Sequence, residues 1–90
     1  MKTYIYNPQG VCSRQMKIVL DDNDTIVSLE VLGGCNGNLK GISALVKGRK
    51  AQEVIEILNG IRCHDKSTSC PDQLSKALVQ ITSGQLVASN

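Results

Sequence analysis

The core of this protein has to be built almost without aromatic side chains. Its 90 residues include no Phe and no Trp, and its two tyrosines are Tyr4 and Tyr6. A chain of this length buries only about 60% of the surface that its unfolded form exposes, so an aliphatic core is thin. Domains of this size often gain stability from disulfides or a bound metal. Four cysteines are available for either role: Cys12, Cys35, Cys63 and Cys70.

The composition excludes several other classes of protein. No apolar run approaches the roughly 18 residues of a membrane span, and residues 1–10 lack the apolar stretch of a signal peptide. We therefore expect a cytoplasmic protein without a membrane partner, in a reducing compartment where disulfides are rare. Four cysteines in that compartment indicate metal or redox chemistry first. The net charge of +2 gives no support to a nucleic-acid or nucleotide partner, although it excludes neither.

The first half of the chain has the alternating pattern of β-strands. A turn-forming run at 21–24 separates two such segments, which predicts a hairpin. A leading strand over Lys2–Tyr6 is expected to stop before Pro8, and an open edge along it would allow a homodimer. The apolar positions of the two hairpin strands are Met16, Ile18, Leu20, Val27, Leu29 and Val31.

The second half changes to the 3.6-residue period of helices. A first helix is expected to end near Gly48, a second at Asn59-Gly60, and a third to begin at Pro71. We therefore predict an α+β fold, with about three antiparallel strands followed by three helices packed on one face. A single domain is expected over 1–83, with a frayed tail over 84–90. The predicted apolar stripes are Leu39, Ile42, Leu45 and Val46, then Ala51, Val54, Ile55 and Leu58, then Leu74, Ala77, Leu78 and Ile81.

All four cysteines fall at predicted ends of elements, where a compact fold can bring them together. Four thiolates at one end of a small sheet would form a tetrahedral sulfur site, which suits zinc or an iron–sulfur cluster. Cys70 lies at a helix start, where the helix dipole favours a thiolate. Because the spacing contains no CxxC motif, two alternatives stay open, namely unlinked structural thiols and a dithiol that is reversibly oxidised.

The run Thr68–Leu74, which reads TSCPDQL, resembles the signature of TSCPD-domain proteins. The blocks at 10–13, 33–39 and 61–63 resemble the rest of the small stand-alone version with four cysteines. A related domain lies at the C-terminus of adenosylcobalamin-dependent ribonucleotide reductases. The resemblance implies a link to deoxynucleotide synthesis, with such a reductase or a related enzyme as partner. It does not imply catalysis by this chain alone, because the reductase chemistry needs a large barrel and a bound cofactor.

A more distant resemblance is to iron–sulfur scaffold proteins of the IscU/NifU type. That family has a cysteine before a strand, a second after a hairpin and a third at the start of the last helix. It has Asp and His where this chain has Arg14 and Ser69, and Cys63 is an additional cysteine here. The cysteines that follow the family's order are Cys12, Cys35 and Cys70.

Together these patterns predict an accessory module in which the four cysteines bind one metal. We expect zinc, because four thiolate ligands form a closed site. Two other functions remain as alternatives. One is a thiol redox carrier that uses Cys63 and Cys70 to return electrons to a reductase. The other is an iron–sulfur cluster scaffold or carrier.

Overall fold

The protein folds as a three-stranded antiparallel sheet followed by three helices, which confirms the predicted α+β class. The computed structural model describes residues 1–34, 36–63 and 66–89. The strands lie in the order β1-β2-β3. Within the described ranges, none of the helices is both long and apolar enough to cross a membrane. The elements are β1 (Lys2–Tyr6), β2 (Ser13–Leu20), β3 (Ile26–Gly33), α1 (Asn36–Val46), α2 (Ala51–Leu58) and α3 (Cys70–Thr82).

The core lies between one face of the sheet and the helices, and it is aliphatic apart from Tyr6. Strand β2 is central and contributes alternate side chains, as its sequence predicts. Helix α3 contributes a stripe at the predicted helical spacing, and α2 packs beside it. The side chains of the core that are less than 3% exposed are Met16, Ile18, Leu20, Ile26, Ala51, Val54, Leu74, Ala77 and Leu78.

A β-bulge changes which residue of strand β3 faces this core. Val19 pairs with Ser28 and Leu20 pairs with Ile26, so Val27 is the extra residue between the two pairs. An extra residue reverses the alternation of side chains along a strand. As a result Ile26 is 1% exposed, whereas Val27 is only half-buried. The prediction that Val27 shares the apolar face with Leu29 is therefore wrong.

Helix α1 also departs from its predicted stripe at one position. Leu39 and Val46 are buried, and Ile42 is partly buried against the core. Leu45, however, is 69% exposed, so the prediction that it packs into the core is wrong. A helix of 11 residues that rests on a narrow sheet buries a narrow stripe, and Leu45 lies outside it.

The hairpin turn is held by its own side chains and by the α1–α2 connection. Asp21 Oδ1 accepts the backbone N–H groups of Asn23 at 2.8 Å and Thr25 at 2.9 Å, which confirms the predicted turn. Asp24 has the left-handed φ of 59° that such turns use. Its carbonyl accepts the N–H of Ala51 at 2.8 Å, so the turn also supports the start of α2.

The tail after α3, which the sequence predicts to be frayed, makes contacts with the rest of the fold. The N–H of Ser89 donates to the carbonyl of Thr3 at 2.7 Å, and the N–H of Leu86 donates to that of Gln80 at 2.9 Å. Leu86 is partly buried against the core. These contacts tie the tail to strand β1 and to helix α3.

The bulge in β3 predicts unequal costs for two neighbouring substitutions. Ile26→Ala removes a buried side chain and should lower the free energy of unfolding by about 2–5 kcal/mol. Val27→Ala should cost about 1 kcal/mol or less, because this side chain is only half-buried. Urea denaturation of both variants gives the comparison. A larger loss for Val27→Ala would show that the strand keeps the unbroken alternation that its sequence suggests.

Candidate metal centre

Three of the four predicted ligands line one cavity of about 470 Å³. Cys12 precedes β2, Cys63 lies between α2 and α3, and Cys70 is the first residue of α3. All three are free thiols. Cys12 and Cys63 are exposed and Cys70 is half-buried. The tertiary structure therefore brings together thiols from three separate ends of elements, as the element boundaries suggest.

The prediction for Cys35 lies outside the described residues, but the structure describes the chain on either side of it. Gly37 and Asn38 line the cavity. Gly34 has a φ of +81°, and a Cβ placed there would lie 2.7 Å from Leu39 Cδ1 and 3.4 Å from Cys12 Sγ. A glycine at position 34 therefore lets the backbone pass close to the Cys12 thiol.

The donor groups around the cavity favour a soft metal ion. Its described lining carries no charged side chain. Thiolates are the ligands that zinc and iron–sulfur clusters prefer, whereas magnesium and calcium prefer carboxylates. Within the residues that the structure describes, no three side chains of His, Cys, Asp or Glu stand close enough to share one ion. The thiols share a cavity there without forming a closed ligand set. The other lining residues are Gly37, Asn38, Leu39, Gly41, Ile42, Leu45, Ser69 and Pro71.

The N-terminus of α3, which carries Cys70, is capped by the preceding serine. Ser69 Oγ accepts the backbone N–H of Asp72 at 3.2 Å and donates to the carbonyl of Ile61 at 2.6 Å. Pro71 in the first turn lacks an N–H that would need a partner. The sequence carries a signal for this cap, since Ser69 and Asp72 fit the pattern Ser/Thr-x-x-Asp/Glu before an apolar run.

Asp72 is a buried carboxylate that joins α3 to the chain before it. It is 1% exposed. Oδ1 accepts the backbone N–H of Gly60 at 2.7 Å, and Oδ2 accepts the hydroxyl of Thr68 at 2.5 Å. Lys76 Nζ lies 3.1 Å from Oδ2. The helix dipole, which the sequence alone suggests as the role of Asp72, is therefore only part of what this side chain does.

Gln73 extends the same network to the first strand. Its Nε2 donates to Thr68 Oγ1 at 3.0 Å. Its Oε1 accepts the hydroxyl of Tyr6 at 3.1 Å and the backbone N–H of Gln9 at 2.9 Å. Burial is the main cause that raises the pKa of Tyr6. The positive charge of Lys76 opposes this rise and the negative charge of Asp72 adds to it. The Tyr6 hydroxyl therefore stays protonated and can donate.

Opposing effects act on the pKa of Asp72. Burial by itself raises it, because a charged carboxylate loses hydration. The hydrogen bonds from Thr68, Gly60 and Lys76, with the positive charge of Lys76, outweigh burial. The pKa of Asp72 therefore lies below its ordinary value, and its carboxylate is ionised in the folded protein at neutral pH.

The fold and the site together define a small α+β domain with a cavity lined by three thiols. The model of the TSCPD domain family matches residues 2–82. The chain belongs to the TSCPD domain family. Comparison with curated proteins and with solved structures found no match. The likenesses to reductase domains and to iron–sulfur scaffold proteins stay predictions.

The lowered pKa of Asp72 predicts acid sensitivity. The stabilisation from its ionised form is complete above the unfolded pKa of about 3.9 and is lost as the pH falls through the lower folded pKa. Asp72→Asn should lower the free energy of unfolding at pH 7 by about 1–3 kcal/mol. It should also flatten the decline in stability below about pH 4. Denaturation across a pH series measures both effects.

Asp22→Asn is a suitable control for the Asp72 measurement, since Asp22 is exposed in the hairpin turn. This variant should stay within about 0.5 kcal/mol of the native protein and keep its acid profile. If Asp72→Asn keeps the native acid profile as well, another group causes the decline.

Proposed function

We propose that this TSCPD domain is a metal-binding accessory module in which Cys12, Cys35, Cys63 and Cys70 hold one zinc ion. The observation that carries the proposal is the shared cavity, which is lined by thiols from three separate segments and by no described charged side chain. Gly37, which follows Cys35 by two positions in the sequence, also lines the cavity. Four thiolates match the closed tetrahedral coordination of structural zinc.

The backbone around two of the proposed ligands is already ordered by hydrogen bonds. Cys63 donates its N–H to the carbonyl of Thr68 at 3.1 Å, and its carbonyl accepts the N–H of Lys66 at 3.0 Å. Cys70 is held on the capped end of α3. Cys12 and Cys63 are exposed, so their side chains have the freedom to turn inward around an ion that enters from solvent.

Bound zinc would supply a tetrahedral thiolate junction, and its binding free energy would add to the stability of the fold. The residues that it would join come from the β1–β2 connection, the β3–α1 connection, the α2–α3 connection and α3 itself. Such a junction would add stability to a domain whose thin aliphatic core supplies little hydrophobic stabilisation. The thiols must lose their protons to bind, so zinc affinity should fall as the pH is lowered.

The proposed accessory role is supported by the resemblance to ribonucleotide reductase domains. We propose an enzyme of that class, or a related one, as the partner in a reducing cytoplasm. The TSCPDQL run supports this link, because it resembles the signature of TSCPD-domain proteins, to which a domain of these reductases is related. The proposed site serves as a structural or docking element for that enzyme, since four protein ligands leave no open coordination position for substrate.

The proposal predicts about one zinc per chain in protein purified anaerobically without chelator. Plasma mass spectrometry measures the metal, and a thiol assay run in parallel should find the cysteines protected. Changing any one of the four cysteines to serine should lower both zinc content and melting temperature, because metal binding and folding are coupled. Leu45→Ala is the matched control. Leu45 lines the same cavity and carries no ligand atom, so its variant should keep the zinc.

Other outcomes of the same measurement would replace the proposal. Iron with acid-labile sulfide would indicate a cluster scaffold or carrier. Metal-free protein whose Cys63 and Cys70 are oxidised and reduced reversibly would indicate a thiol redox carrier. Metal-free protein with four inert thiols would leave only a packing role for the cysteines.

A further inference from the structure

A buried hydroxyl lies against one of the proposed ligands. Ser13 is 3% exposed, and its Oγ lies 3.2 Å from Cys70 Sγ. From this contact we infer that Ser13 is a positioning residue, which donates a hydrogen bond to the Cys70 thiolate and holds it in place for the metal. This inference rests on the proposed zinc site and names a part of it that lies outside the ligand set.

A second β-bulge is the reason that Ser13 can reach Cys70. Ser13 pairs with Gly33 and Gln15 pairs with Leu32, so Arg14 is the extra residue on strand β2. With unbroken alternation, Ser13 and Met16 would face opposite sides of the sheet, since they are three positions apart. Both are buried instead. The bulge therefore turns the Ser13 hydroxyl toward the side on which α3 packs, as bulges next to functional sites often do.

The chemistry of the pair decides which atom donates. A hydroxyl and a thiol can each donate to the other, but a thiolate has no proton and can only accept. Once Cys70 is deprotonated for metal binding, Ser13 must be the donor. Among the described residues, Cys70 is also the hydrogen-bond partner that satisfies the Ser13 side chain. Removing the hydroxyl would leave that side of the thiolate against an apolar surface.

Hydrogen bonds to metal ligands orient the ligand and tune its donor strength, and their loss typically costs about 10–100-fold in metal affinity. Ser13 contributes from strand β2, immediately after Cys12, to a ligand on α3. The same short segment therefore supplies one ligand directly and positions another. The contact at Ser13 also ties the start of β2 to the start of the last helix, 57 residues later.

The test compares Ser13→Ala with Ser13→Thr in the full chain, with zinc as the probe. Ser13→Ala should weaken zinc binding by about 10–100-fold in a chelator competition assay and should speed zinc release. Ser13→Thr keeps the hydroxyl and should retain most of the native affinity. Cobalt substitution gives a spectroscopic readout, because the thiolate-to-cobalt charge-transfer band should shift in Ser13→Ala and not in Ser13→Thr.

Ser75→Ala is the matched control for loss of a buried hydroxyl. Ser75 is 1% exposed, and its hydroxyl donates to the backbone carbonyl of Asp72 at 2.6 Å. Its variant should lose stability but keep zinc affinity and the cobalt spectrum. If Ser13→Ala and Ser75→Ala behave alike, Ser13 is a packing residue and the inference fails, while the zinc site stands. If the native chain binds no zinc, the proposed function fails, and the inference fails with it.

Discussion

The buried carboxylate of Asp72 is the interaction on which the placement of Cys63 and Cys70 depends. A buried charge is costly unless several donors satisfy it. Here the donors come from Gly60 just after α2, Thr68 before α3, and Lys76 within α3. The connection between α2 and α3 is therefore fixed at both ends to the helix that carries Cys70, and this connection carries Cys63. The motif Thr-Ser-Cys-Pro-Asp thus combines four residues that build a helix start with one thiol that faces the cavity.

Two β-bulges in the sheet determine the direction in which two important side chains point. The bulge at Val27 turns Ile26 into the core, and the bulge at Arg14 turns Ser13 toward Cys70. In a strand without bulges, every second residue would share a face. Ile26 would then point away from the core, and Ser13 would point away from Cys70. Gly34 lies beside the second of these bulges, and the absence of a side chain there allows close approach to the Cys12 thiol. Backbone irregularities therefore set the surroundings of Cys12 and Cys70 as well as the packing of the core.

Most of the fold could be predicted from sequence because its signals are local. The apolar period of two in β2, the Asp-rich turn and the period of 3.6 in α3 are each properties of a short contiguous run. The position of the cysteines at ends of elements could also be predicted, whereas which of these ends meet depends on how the elements pack. Ser13 could not be found in this way, since a serine at the start of a strand has no distinguishing pattern. The exposure of Leu45 could not be predicted either. Its helical spacing fits the apolar stripe, but the narrow sheet does not cover the stripe at that position.

The sequence by itself determined the order and type of the elements and the family, and it placed every cysteine at an element boundary. Only the tertiary structure decided that Cys12, Cys63 and Cys70 line one cavity. It also decided that the carboxylate of Asp72 is buried and bonded to three other residues, and that Ser13 contacts Cys70. The physical reason is distance along the chain. A periodic pattern is a property of residues that are close in sequence. A bulge depends on the partner strand, and a buried hydrogen bond depends on residues far apart in sequence.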